Sequence, residues 1–309
     1  MHKFLARVIA ALLMFQVGLL AYKVRSHFAT PPDVTVAPPV TVAPTPRKTF
    51  PDCEMLDDFV DHDRLSYRHY EIVKQYKKIR FDDAGDGPLW ADVSFAQLRQ
   101  DSKTVKMFDG LYHTTGNSTD FGLFKLLGNN DSQLVVQQIA WRGGENWIFD
   151  LSGKNARRVY SGEDWGVGRG EMCVIDLNVD GTMEISEEIT AFYDLQDKFA
   201  ISWIPLTPIV FKYNQRTRRY EPANNEFLEY SLGGVPVEDA SVSSSDAYEQ
   251  SRIISTLLDY VFAGQREKGW AFFERNYRGD DKGEMRRRVQ SILNKQFVYR
   301  FIYKSQDRH

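Results

Sequence analysis

The chain has 309 residues, 42% hydrophobic and 26% charged, a balance that suits one large globular domain or two modest ones. Its net charge of −3 argues against a nucleic-acid binder, which would show a basic excess or stripe, so no nucleic-acid partner is expected. Aromatic residues at 13% favour a well-packed, β-rich body over a disordered one.

From Phe4 to Tyr22 the sequence is apolar except for Arg7 and Gln16. As a helix this run spans roughly 28 Å at about 1.5 Å per residue, close to the hydrocarbon thickness of a bilayer. Small residues that suit a signal-peptidase cut are poorly placed after it. Residues 1–29 are therefore expected to form a cytoplasmic tip and an uncleaved transmembrane signal anchor, with a cleaved signal peptide as the alternative. Lys3 and Arg7 favour a cytoplasmic N-terminus, which puts the body outside the cytoplasm, in the periplasm or at the cell surface. The membrane is then one partner, reached through the N-terminal helix. Residues 30–51 form a Pro-rich linker in which Val34-Thr35-Val36-Ala37-Pro38 recurs as Val40-Thr41-Val42-Ala43-Pro44. Prolines at this density keep the segment extended as a spacer.

Residues 52–120 read as a helical entry segment. Leu56, Phe59 and Val60, then Tyr70, Val73 and Tyr76, recur at spacings of three and four. A second short helix is expected near Ser94, through Phe95, Leu98 and Val105. His62 and His69 would share a face of the first helix. Without a third ligand or the i, i+4 spacing of a zinc helix, they read as solvated. Asp82–Gly87 reads as a plain acidic loop.

Residues 121–235 change to short β-branched and aromatic runs between Gly, Asn and Asp turns. Residues 135–139, 146–149, 158–160, 172–175 and 209–213 are predicted strands. Phe121–Val135 resembles Gly170–Glu184, and aligning Asp131 with Asp180 gives a period of about 49 residues. Gly166–Gly170 precedes a strand, so it reads as a turn rather than a phosphate cradle. Glu163, Asp164, Arg169 and Glu171 cluster beside Trp165; an acidic surface loop is the plain reading, and a glycosidase-type carboxylate pair the weaker one.

Residues 243–306 read as a helical C-terminal segment. Asp246 and Glu249 form a capping-box pattern ahead of an apolar face at Ile254, Leu257, Leu258, Val261 and Phe262. Trp270, Phe273 and Tyr277 mark the next helix. Asp281 and Glu284 open a third, with Met285, Val289, Ile292 and Leu293 inward. Arg286, Arg287 and Arg288 spread around that helix and do not make one patch. The two cysteines, Cys53 and Cys173, have no metal or redox spacing. Two buried thiols are the plainer expectation, and a disulfide tying the start of the body to its centre is the alternative for an extracytoplasmic chain.

The most specific motif is Asp176-Leu177-Asn178-Val179-Asp180-Gly181-Thr182-Met183-Glu184. Oxygen-bearing side chains fall at its positions 1, 3, 5 and 9, with Gly at position 6, a spacing that brings hard oxygens around a cation such as Ca²⁺. Glu187 at position 12 would suit an EF-hand, but strands rather than helices are predicted on both flanks, so Glu184 is the preferred ligand. The bland alternative is a tight Asp-Gly turn. The segment resembles the loops of FG-GAP and VCBS repeats of integrin-type β-propellers. That resemblance covers about residues 121–220 and implies structural Ca²⁺ held by Asp176, Asn178, Asp180, Glu184 and the Thr182 carbonyl.

The expected fold is α+β: an N-terminal membrane anchor helix, a central antiparallel β region of two FG-GAP-like units forming an incomplete propeller, and a helical C-terminal segment. The expected function is a non-catalytic binding module with an unknown protein or glycan partner. An extracytoplasmic hydrolase with an unrecognised carboxylate site and a structural envelope component are the alternatives.

Overall fold

The structure is a computed structural model and describes residues 54–55, 63–83, 87–109, 118–140, 143–168, 172–233 and 246–306. All of them belong to one compact unit, Thr49–His309. The expected anchor, the Pro-rich spacer and His62 lie outside the described residues. Among the described residues no helix is long and apolar enough to cross a membrane.

Three antiparallel meanders follow one another along the chain. The first joins β2 (Arg64–Tyr67), β3 (Tyr70–Asp83), β4 (Gly87–Gln100) and β5 (Lys103–Phe108). The second joins β6 (Ser118–Phe124), β7 (Gln133–Ala140), β8 (Gly143–Asp150) and β9 (Arg157–Ser161). The third joins β10 (Cys173–Ile175), β11 (Glu184–Glu188), β12 (Pro208–Asn214) and β13 (Arg219–Pro222), with β1 (Glu54–Met55) added beside β10. All five strands predicted within 121–235 lie on these elements.

Over the described residues 63–83 and 87–109 the first meander overturns the expected helical entry, while Leu56, Phe59 and Val60 lie outside the described residues. Tyr70, Ile72 and Lys74 are buried on one side of β3, and Ser94, Ala96 and Leu98 on one side of β4. That is the period of two of a half-buried strand. The apparent helical spacing of Tyr70 and Tyr76 was accidental: Tyr70 is 2% exposed and Tyr76 is 61% exposed. Tight turns decide the outcome. Tyr67 pairs with Tyr70 and Gln100 with Lys103, so each hairpin closes on two residues. Asp101 and Ser102 both take positive φ, at 48° and 66°, the geometry that matches strand twist. His69 sits in the first of these turns, its Nε2 3.0 Å from the Lys154 carbonyl, and not on a helix face.

The second meander is buried on both faces. Leu134, Val136, Trp147 and Phe149 pack with Tyr70, Ile72, Leu98 and Phe108 of the first. Their chain neighbours Val135 and Ile148 belong instead to the core shared with the third meander and the helices, which Tyr160 of β9 also joins. Alternate residues of one strand thus serve two cores, which explains their nearly continuous apolar runs.

A short helix α1 (Gly162–Trp165) follows β9, and α2 (Leu228–Ser231) follows β13. The C-terminal segment is helical as expected: α3 (Ala247–Phe262), α4 (Arg266–Asn276), α5 (Lys282–Lys295) and α6 (Phe297–Gln306). Ile254, Leu257, Leu258, Val261, Phe273, Val289 and Leu293 are fully buried, the stripe that the 3.6-residue period forecasts. Asp246 caps α3 by accepting from the Tyr248 N–H at 3.0 Å, but Glu249 turns to Arg252 at 3.1 Å and leaves the capping box open. Asp281 does not cap α5 with its side chain; it accepts from the Tyr277 hydroxyl at 3.1 Å and pairs with Lys198 at 2.6 Å. Arg286 lies over Trp270 and Arg288 reaches Asp197, so the arginine run does split.

Cys173 is disulfide-bonded, and the sequence holds one other cysteine, Cys53. This corrects the plainer expectation of two buried thiols. Pairing of Met55 with Cys173 in the β1–β10 ladder brings the start of the body to β10, where a short covalent link becomes possible.

Candidate metal loop and ligand cavity

The loop 176–183 joins β10 to β11, with strands on both flanks, which removes the EF-hand alternative. Its side chains fold inward on its own backbone. Asp176 accepts from the Asp180 and Gly181 N–H groups at 3.1 and 2.9 Å, and Asp180 accepts from the Thr182 N–H at 2.7 Å. Asn178 accepts from the Asp180 N–H at 3.1 Å and donates to Asp180 at 2.8 Å. The bond from Thr182 holds the Asp180 carboxyl below its usual range. Gly181 at φ 82° makes the sharp bend, and Val179 is forced to φ 58° with its side chain 86% exposed. A β-branched residue in the left-handed region is strained, and such strain clusters at functional sites.

Glu184 is the unusual member. It is fully buried, and one oxygen accepts from the Leu177 N–H at 2.9 Å. Its Oε1 has no hydrogen-bond partner. Burial first, then the charges of Asp180 and Asp176, push its carboxyl up to about 7 against the Leu177 bond. A buried carboxylate oxygen without a donor is costly unless a proton or cation meets it. Ca²⁺ fits that requirement and the donor set of Asp176, Asn178, Asp180, Glu184 and the Thr182 carbonyl. Among the described residues no group of three or more His, Cys, Asp or Glu side chains is already gathered as a metal site.

The loop has a second copy, in a register the sequence misplaced. Phe124 pairs with Gln133 as Ile175 pairs with Glu184, so the two hairpins repeat at 51 residues rather than 49. The Leu126 N–H donates to Gln133 Oε1 at 2.7 Å, as the Leu177 N–H donates to Glu184. Gly128 and Val179 both take positive φ, 65° and 58°. The two turns also touch. Leu127 and Thr182 form an antiparallel bridge, and the Met183 N–H donates to the Leu126 carbonyl at 2.9 Å. In the first copy Lys125 and Leu127 fall where the second has Asp176 and Asn178, so it buttresses the loop without the oxygens to bind a cation.

Glu187, the reserve ligand, faces the other way. It is 4% exposed and accepts from Asn146 of β8 at 2.7 Å. Burial pushes its carboxyl up to about 8, partly offset by the Asn146 and Tyr160 contacts. Its Oε2 lacks a well-formed bond, and burial with the Glu187 charge drives the Tyr160 phenol well above its ordinary range. Gly162 permits this arrangement, because a Cβ there would stand 2.9 Å from Glu187 Oε2 and 3.0 Å from the Val167 carbonyl. Of the acidic cluster expected around Trp165, Asp164 is tied to Arg158 at 2.9 Å and Glu163 is exposed, while Arg169 and Glu171 lie outside the described residues.

A cavity of about 1070 Å³ opens between β9, α1, β13 and α6. Five cations line it, Arg158, Arg216, Arg219, Arg300 and Lys304, against two acids, Glu163 and Asp164. Its walls carry five aromatic rings, with Tyr160 and Tyr220 at the floor; Trp165 meets Phe301 edge-on at 5.5 Å, and Phe297 stands 58% exposed under the Arg300 guanidinium at 4.5 Å. None of this cavity was singled out in the sequence except Trp165 and its acidic neighbours. One signal was readable, since Phe297, Arg300, Phe301 and Lys304 recur at i, i+3, i+4 and i+7 and so share one helix face.

Comparison with protein-family models, curated proteins and solved structures gave no match.

Proposed function

We propose that this chain is a membrane-tethered, extracytoplasmic and non-catalytic binding protein, its ligand taken by the cavity between β9, β13 and α6. One observation carries the binding reading. Among the described residues the cavity is lined by rings and by four cations without ion pairs, and of its two carboxylates Asp164 is tied to Arg158. The hydrolase alternative has a single point in its favour, the buried Glu187 behind the Tyr160 wall. A lone carboxyl without a partner across a scissile bond does not make a glycosidase site.

The same proposal takes the three meanders as blade-like sheets of the FG-GAP and VCBS type, short of a closed propeller, with structural Ca²⁺ in the loop 176–184. The orphaned Glu184 oxygen supports the cation, and the Cys173 disulfide supports an oxidising compartment. Residues 1–29 supply the anchor.

The test uses the full chain expressed in membranes. The reading expects the body to be digested by protease added outside the cell, the protein to resist carbonate extraction, and its melting midpoint to rise with Ca²⁺ over chelator. Release by carbonate together with protease resistance sinks the localisation. An unchanged midpoint sinks the cation.

A further inference from the structure

We infer that the cavity between β9, β13 and α6 recognises an acidic oligosaccharide of two to three sugar units, through guanidinium contacts to its carboxylate or sulfate groups and ring stacking on its apolar faces. The inference rests on the binding reading above and names the ligand class for that site.

Charge comes first. The chain as a whole carries −3, yet this one cavity gathers five cations against two acids. Arg158 is neutralised by Asp164. Arg216, Arg219, Arg300 and Lys304 form no ion pair among the described residues. Guanidinium groups held together without partners are suited to bidentate recognition of planar oxyanions.

Buried polarity is an independent observation. Ser161 lines the cavity, is 1% exposed, and its Oγ has no hydrogen-bond partner. The Nε of Arg300 is also buried without an acceptor. These closed-off atoms leave the wall under-satisfied, and the guanidinium and ammonium groups that line the cavity beside them suit a ligand rich in hydroxyl and anionic oxygens.

Size and shape narrow the class. A volume of about 1070 Å³ greatly exceeds what inorganic phosphate would fill. Trp165, Phe297 and Phe301 offer ring faces and edges suited to flat apolar patches of sugars. A peptide read by strand addition is disfavoured. The bordering strands β9 and β13 lie against each other at the floor, Tyr160 to Tyr220 at 6.0 Å, so recognition falls to side chains rather than main-chain pairing.

The experiment is calorimetric titration of the full chain in detergent with four probes: trigalacturonate, a sulfated galactose trisaccharide, the neutral galactose trisaccharide, and tetraglutamate. Saturable binding of at least one acidic sugar is expected, at least tenfold tighter than the neutral one and weakened by added salt. Arg219→Gln and Arg300→Gln should each weaken it roughly tenfold with an unchanged melting midpoint. Because Arg219 is exposed, its replacement leaves the fold intact and keeps the test readable should Arg300→Gln unfold. Equal affinity for the neutral sugar, or no binding of either acidic sugar at millimolar concentration, overturns the inference. Preference for tetraglutamate, lost in Arg219→Gln, overturns the sugar class while leaving the binding reading intact. Cleavage of a bound acidic sugar, followed by chromatography, upholds the ligand class and removes the non-catalytic reading.

Discussion

Replacing Glu187 by Gln tests the buried carboxyl behind the cavity wall. The amide keeps the shape and the oxygen that accepts from Asn146, and removes only the ability to ionise. In the folded chain this carboxyl titrates at about 8 instead of 4.5. The folded state therefore holds a proton that the unfolded state has lost, and stability falls as pH rises. The favourable contribution is complete below the ordinary carboxyl range, is lost progressively between the two values, and is gone above about 8. Across that window the slope is about 1.4 kcal/mol per pH unit, and the whole effect is on the order of 5 kcal/mol. The assay is urea unfolding of wild type and Glu187→Gln at pH 5.5, 6.5, 7.5 and 8.5 in chelator. Glu184 titrates in both proteins and cancels in the difference. The variant should gain on wild type with each step in pH and become the more stable at pH 8.5. A stability difference that stays constant from pH 5.5 to 8.5 would refute the reasoning, because it would mean that Glu187 ionises in the fold as freely as in water.

Four further outcomes follow from the geometry. Glu184→Gln should lose the rise in melting midpoint that Ca²⁺ gives wild type, a gain of about 2.7 kcal/mol when the ion is at one hundred times its dissociation constant; an equal response in both proteins counts against the loop. Val179→Gly should stabilise the chain by about 1 kcal/mol in thermal melts, since glycine relieves the left-handed strain at φ 58°; a loss of stability would show that the exposed valine has a partner. Cys173→Ala should cost about 5 kcal/mol under oxidising conditions, from the entropy of opening a loop of roughly 120 residues, and the penalty should vanish when both proteins are reduced. Gly269→Ala should lower the melting midpoint by the equivalent of about 1–3 kcal/mol, because the added Cβ would meet the Leu257 carbonyl at 2.9 Å where α3 and α4 cross.

The β region and the C-terminal helices were legible because their signals are local and redundant. Val135–Ile139 and Ile209–Tyr213 combine β-branched residues with turn residues at each end, and Ile254 to Phe262 repeats its apolar face over more than two turns. The first meander was not legible for a physical reason. Its half-buried strands carry Lys74, Lys77 and Lys78 among the aromatics, a charge density that mimics a solvated helix, and its two-residue turns at Arg68-His69 and Asp101-Ser102 contain no glycine. The loop 176–184 could be read from nine consecutive residues, whereas the cavity draws on three separated segments that tertiary packing alone brings together. The disulfide was undecidable from sequence, because a bridge depends on where β1 lands.

The two turns repeated at 51 residues form an internal comparison for the cation. Gln133 and Glu184 occupy the same place, each buried, each reaching back seven residues to accept from a backbone N–H. Gln133 is satisfied at both ends of its amide, because its Nε2 also donates to the Asp131 carbonyl at 3.0 Å. Glu184 has no N–H to give, and its second oxygen is left bare. A hairpin of this shape therefore needs only an amide at that position, as the first copy demonstrates. A carboxylate there adds a buried charge beside Asp176 and Asp180 and gains nothing for the turn itself. Its presence is accounted for when a divalent ion meets all three carboxylates, and Glu184→Gln then converts the second turn into the self-sufficient chemistry of the first.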